Sequence, residues 1–263
     1  MTSSEMGLLF DKVAPLFEKA SVPIYFWKRS LSKLTVTPCA TALRLGTGKK
    51  QLYITCQHVW QQFLEYKSNN SDAFLGAVIE GDICEIKVTA CIDNCANVDI
   101  AVLDIAEPPT SIHGLPVTTE QFYSGKSQPL LTPTEGEMVV VAGYPAHLRK
   151  LEHNILSNDL LFLFLNVTKV APTRIYCADG PGERLKSDGT QSAAPLNGMS
   201  GSPVYIVREN QPCLVGIFTD GDTTQSTLIV SLLKHVNFDG TLDWLGMPPV
   251  FNSGYMMPLE ESE

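Results

Sequence analysis

The chain has 263 residues, with 19 Lys or Arg against 28 Asp or Glu and a formal net charge of −9. That balance argues against a nucleic-acid-binding surface as its main business. Its 44% apolar content is that of a globular domain and excludes disorder for the bulk of the chain. The length predicts one to two domains and a core large enough to stand without disulfide or metal staples.

Met6, Leu9, Phe10, Val13, Phe17 and Ala20 recur at helical spacing, so residues 1–21 predict an amphipathic N-terminal helix. The same residues lack the basic start and apolar stretch of a secretory signal. After Pro23 the pattern changes to short β-rich runs broken by turn residues, which predicts an all-β architecture. The runs are Ile24–Trp27, Val36–Leu45, Gln51–Thr55, Ala73–Glu80, Ile83–Cys91 and Ile100–Ile105, then Met138–Ala142, Leu160–Val167, Lys169–Cys177, Pro203–Val207, Leu214–Thr219 and Thr227–Val230.

Between the two groups, Glu107–Pro133 is proline-rich and has little periodicity, so it reads as a linker between two β lobes. The predicted units are a first lobe over 22–115, a second over 116–245 and a tail over 246–263. Two modest helical patterns remain, His58–Tyr66 and Ser231–Val236. The longest apolar run, Leu160–Leu165, is far short of the roughly 20 residues that cross a bilayer. With an odd number of cysteines, seven, the thiols read as reduced. The expectation is a cytoplasmic chain whose partners are neither nucleic acid nor membrane.

A close cysteine set, Cys84, Cys91 and Cys95, invites a zinc reading, but it has no matching second pair and strand cysteines are commonly buried. The expectation is therefore no metal and no cofactor. Cys56, two residues before His58, reads as a buried core thiol. More informative are three local patterns in order along the chain: Thr55-Cys56-Gln57-His58-Val59, Asp99-Ile100-Ala101-Val102-Leu103 and Gly198-Met199-Ser200-Gly201-Ser202-Pro203. A serine hydroxyl needs a neighbouring base to become a nucleophile near neutral pH, and the base needs an acid to set its tautomer. Small residues beside the serine let the backbone turn sharply.

These three patterns resemble those of the chymotrypsin-like (trypsin-fold) serine peptidases, most closely the HtrA-like and glutamyl-endopeptidase-like bacterial branches. The likeness extends between them, through Gly46-Thr47-Gly48, Val139–Pro145 and Leu214–Thr219, and covers residues 22–236. It implies two six-stranded β-barrels, with the N-terminal helix and a short C-terminal helix added. It also implies a catalytic triad of His58, Asp99 and Ser200, an oxyanion hole from the N–H groups of Gly198 and Ser200, and a protein or peptide substrate. By the same match Phe218, Thr219, Asp220, Gly221 and Ala194 are the substrate-binding positions, and the Thr219 hydroxyl is expected close to Asp99. Asp99 is preferred to Asp93 and Asp104 by the motif alone.

The chain departs from the family in three places. Met199 stands where trypsins have Asp and the bacterial branches usually Asn, so Met199 is expected to pack in an apolar environment and the loop before Ser200 to order by another route. Phe218 replaces the pocket histidine of glutamyl endopeptidases, and Ala194 the acidic pocket base of trypsins. A small or medium apolar residue before the scissile bond is therefore expected. No PDZ-like extension is expected after the second lobe. The leading function is a serine endopeptidase in regulatory proteolysis, free of any cofactor, with a protein activator or multi-protein system as a further expected partner. The competing function is a catalytically silent or activator-dependent peptide-binding module on the same fold.

Overall fold

The computed structural model describes residues 14, 17, 18, 20–28, 39–46, 50–79, 82–106, 132–152, 155–178, 184–192, 195–208, 211–222, 227–237 and 239–243. The tail 246–263, most of the linker and Ala194 lie outside the described residues.

The first sheet is built from β1 (Ser21–Lys28), β2 (Cys39–Gly46), β3 (Gln51–Thr55), β4 (Ala73–Ile79), β5 (Asp82–Glu85), β6 (Val88–Cys95) and β7 (Ile100–Ile105). Helix α1 (Gln57–Ser68) leaves the end of β3. The strands are antiparallel neighbours in the order β5-β4-β1-β2-β3-β7-β6. β5 and β6 stand at opposite ends of that order, yet only Ile86 and Lys87 separate them in the chain. Three peptide steps reach roughly 10 Å, so the sheet must curl until its ends nearly meet. The first lobe is thus a barrel with a seam between β5 and β6. The expected single strand Ile83–Cys91 is divided at that seam, where Ile86 is buried and donates its N–H to Leu75 O at 2.7 Å.

The second lobe comprises β8 (Met138–Gly143), β11 (Leu161–Val170), β12 (Arg174–Ala178), β13 (Arg184–Lys186), β14 (Pro203–Arg208), β15 (Gln211–Asp222) and β16 (Thr227–Leu232). The order β12-β16-β15-β14-β8-β11 closes on itself through the β11–β12 pairing, a complete six-stranded barrel with β13 added outside β11. Before β11, β9 (Arg149–Glu152) and β10 (Ile155–Asn158) form a separate hairpin. The expected break between Leu160–Val167 and Lys169–Cys177 falls later, at Ala171–Thr173, because Pro172 has no N–H for the ladder and Ala171 N–H closes the turn on Arg174 O. The expected helix Ser231–Val236 is reduced to a 3-10 turn, Leu233–His235, since β16 takes Ser231 and Leu232 into the barrel.

Side-chain alternation explains the unbroken apolar run in β11. Leu161, Leu163, Leu165 and Val167 fill the closed barrel, whereas Phe162 and Phe164 point to a second cluster that they share with the first lobe. β8 does the same, with Val139 and Val141 inside and Val140 and Ala142 outside. Strands buried on both faces read as continuous hydrophobic runs. The shared cluster contains Phe17, which is helical and fully buried, stacked on Tyr205 at 4.1 Å and 6.0 Å from Phe162. Phe17→Ala is expected to destabilise the chain by about 3–5 kcal/mol, the usual cost of emptying a phenylalanine site. Denaturant unfolding checks this, and an unchanged midpoint would contradict the placement. No helix among the described residues is long and apolar enough to cross a membrane.

Candidate active site

His58 is the second residue of α1, directly after the β3 strand that carries it to the top of the first lobe. A helix start leaves backbone N–H groups without partners. Here Asp99 Oδ1 accepts the His58 N–H at 2.9 Å, and its other oxygen, Oδ2, takes the His58 ring Nδ1 at 2.7 Å. One carboxylate thus caps the helix and orients the ring. An ionised carboxylate only accepts, so Nδ1 is the donor in this bond, and in the neutral ring Nε2 keeps its lone pair.

Asp99 ends the turn Ala96–Asp99 between β6 and β7 with φ +53, the left-handed region that Asp tolerates better than most residues. The hydrogen bond to Asp99 raises the His58 pKa above 6.5; burial opposes it, and the charges of Asp99 and Asp220 add to it. Loss of that acceptor charge reverses the effect. Asp99→Asn keeps an oxygen for the backbone N–H and tolerates the left-handed turn, so the variant is expected to fold while its His58 titrates at lower pH than in the wild type. An NMR titration of the imidazole measures it; an unchanged midpoint would refute the assigned cause.

Ser200 is presented by two consecutive turns. Met199 N–H donates to Leu196 O, and Ser202 N–H to Met199 O, each at 2.9 Å. The third residue of each turn is glycine, Gly198 at φ +93 and Gly201 at φ +89, which is what a type II turn demands. Met199 between them is fully buried among the second-lobe apolar residues, as its thioether favours. Among the described residues no acceptor takes the N–H of Gly198 or of Ser200, while the intervening Met199 N–H is bonded. The Ser200 hydroxyl lies 3.4 Å from Thr219 O, a long and weak donation.

The loop is pinned from both lobes. Thr41 N–H donates to Ser200 O at 2.9 Å, and Thr41 Oγ1 donates to Gly198 O at 3.0 Å while accepting from Tyr144 N–H at 3.1 Å. Gly201 N–H donates to Phe218 O at 2.7 Å, an oxygen that also takes Cys56 Sγ at 3.4 Å. The residue after Ser200 therefore sits against the chain leading into His58. Cys56 is wholly buried, and burial together with the nearby Asp99 charge pushes its thiol well above the ordinary value. It stays protonated near neutral pH and is a poor nucleophile or metal ligand.

Of the positions expected to bind substrate, Phe218 is buried in the second-lobe core, Thr219 is buried, Asp220 is exposed and Gly221 follows it on β15. The Thr219 hydroxyl donates to Ile229 O at 3.2 Å, and among the described residues no hydrogen bond joins it to Asp99. The cause is a bulge: Phe218 faces Val230 and Asp220 faces Ile229, so Thr219 is an extra residue whose side chain is re-aimed. Cys84, Cys91 and Cys95 do not converge; among the described residues the His, Cys, Asp or Glu group whose ligand atoms lie within 4.8 Å is Cys56, His58 and Asp99. Thr41 was not foreseen, since a threonine within an alanine-rich strand carries no local signal of a contact so distant in sequence.

The two lobes, one closed barrel and one curled sheet, with the candidate residues at their junction, define a chymotrypsin-like fold. No family profile matches the sequence, and no curated protein matches it. Among solved structures the chain is similar to the crystal structure of tobacco vein mottling virus protease, with a TM-score of 0.42 and 11% sequence identity, covering 82% of this chain and 77% of that chain.

Proposed function

We propose that the chain is a serine endopeptidase acting on protein or peptide substrates in regulatory proteolysis in the cytoplasm, akin to the HtrA-like and glutamyl-endopeptidase-like branches. The reading is carried by one observation: Asp99 holds both the ring and the backbone N–H of His58, at 2.7 and 2.9 Å. Ser200, raised on two glycine turns, is followed by Gly201, whose N–H shares the Phe218 carbonyl with Cys56; among the described residues its hydroxyl is bonded to Thr219 O and not to His58. In this reading Ser200 Oγ leaves its weak contact with Thr219 O and attacks the scissile carbonyl carbon as His58 Nε2 takes its proton. The N–H groups of Gly198 and Ser200 receive the oxyanion, worth about 2.7–4 kcal/mol per donor. His58 then protonates the leaving amine, and a water, deprotonated by the same nitrogen, hydrolyses the acyl-enzyme.

The backbone of Thr219–Gly221 pairs with the substrate strand, as edge backbone does in strand addition. Phe218 and Ala194 favour a small or medium apolar residue before the cleaved bond. A fluorophosphonate probe tests the reading, because it reacts with an activated serine and needs no knowledge of the substrate. Labelling of the folded wild type is expected. Its absence would instead support the activator-dependent or silent peptide-binding module, in which the same cleft holds a strand without cutting it.

A further inference from the structure

The turn that carries Asp99 belongs to the first lobe, but its backbone is gripped from the second. Ser231 Oγ, fully buried on β16, donates to Val98 O, and Arg174 Nη2, on β12, donates to Asn97 O at 2.5 Å. Arg174 and Ser231 are register partners across the β12–β16 ladder, so their side chains leave the same face of the barrel. A single cross-strand pair therefore takes two successive carbonyls, those immediately before Asp99. A third tie lies nearby, where Leu242 N–H donates to Asp93 Oδ2 at 2.9 Å. The remaining bond of the turn, Asp99 N–H to Ala96 O at 3.2 Å, is long.

We infer that Ser231 and Arg174 are positioning residues, which hold the Asp99 turn from the second lobe so that His58 is oriented only when the two lobes are docked. This rests on the proposed peptidase reading for its catalytic meaning, though not for its structural content. Ser200 and the pair that steadies Asp99 then belong to one barrel, and His58 and Asp99 to the other. Two members of the proposed triad lean on the lobe that does not carry them: Ser200 O is held by Thr41 of the first lobe, and the Asp99 turn by Ser231 and Arg174 of the second. Removing the Ser231 hydroxyl leaves the Val98 carbonyl buried without its donor and frees the turn to drift.

The test reads His58 itself. Its charged and titratable neighbours are Asp99 from the β6–β7 turn, Asp220 from β15 and Cys56 at the helix start, and all three are retained in the variants. Ser231→Ala, Ser231→Thr and Arg174→Met are compared with wild type by NMR titration of the imidazole, by fluorophosphonate labelling rate and by thermal melting. In Ser231→Ala and Arg174→Met the His58 midpoint is expected to fall toward its ordinary value and labelling to slow about tenfold, while Ser231→Thr restores both. Arg174, on an exposed contact, decides the matter should Ser231→Ala not fold. An unchanged His58 midpoint in folded variants, with only a lower Tm, overturns the inference. If the wild type does not label at all, the peptidase reading fails while the titration still decides whether the pair positions Asp99.

Discussion

Ser200→Ala is expected to fold like the wild type and to lose peptide hydrolysis by roughly 10⁴–10⁶-fold, the scale seen when the nucleophile of a serine triad is removed. The small structural cost follows from the contacts. The Ser200 hydroxyl makes one weak bond, at 3.4 Å to Thr219 O, whereas its backbone carbonyl, which the substitution retains, accepts the strong bond from Thr41. A loss of activity at unchanged Tm therefore isolates chemistry from folding. Residual activity above a hundredth of wild type would show that another group does the attacking. Cys56, two residues before His58, is the alternative thiol, but its burial and its protonated state deny it that role.

Gly201→Ala should be strongly destabilising, on the scale expected of Phe17→Ala. A Cβ there would fall 2.0 Å from the backbone oxygen of Thr41 and 2.6 Å from Thr55 Oγ1, at φ +89. Both obstacles belong to the first lobe, and backbone does not yield as a flexible side chain does. Left-handed strain and overpacking together suggest a cost of about 3–5 kcal/mol, or on the order of 10 °C in Tm for a chain of this size. Gly189 supplies the control, since it shares the positive φ, at +77, but has nothing within 4 Å. Gly189→Ala should cost only about 1 kcal/mol. Equal losses at the two positions would mean that the contact between the Ser200 loop and β2 is not as close as described.

The candidate site was legible in the sequence where its geometry is local. Each of the three motifs bundles a side chain with the turn or helix start that presents it, so His58, Asp99 and Ser200 could be named from a few neighbours apiece. The strands were legible for a similar reason: Gln51–Thr55 and Ile100–Ile105 are apolar runs whose ends carry punctuation, and both have the expected bounds. The hairpin β9–β10 was not legible, because Arg149–Glu152 is a short charged segment without alternation.

What joins the lobes was also hidden. Thr41 meets Gly198 across 157 residues and Ser231 meets Val98 across 133, and in the sequence each is an ordinary hydroxyl in an ordinary strand. Asp99 capping the helix backbone could have been suspected, because a helix beginning at Gln57 offers no capping side chain at Cys56. The bulge at Thr219 could not, since a bulge depends on register between two strands and leaves no mark on either alone.

Phe17, Tyr205 and Phe162 lie in one apolar cluster with Val22, Leu43 and Ile54, so the two β lobes have no separate thermodynamic lives. Pulling them apart would strip cover from both at once, and neither could lose its partner without losing part of its own interior. The chain should accordingly melt in a single cooperative transition, with calorimetric and van't Hoff enthalpies in agreement, even though its topology divides cleanly in two. On the peptidase reading, a site assembled across such a junction inherits that cooperativity: activity and both barrels are expected to be lost together, in the same transition.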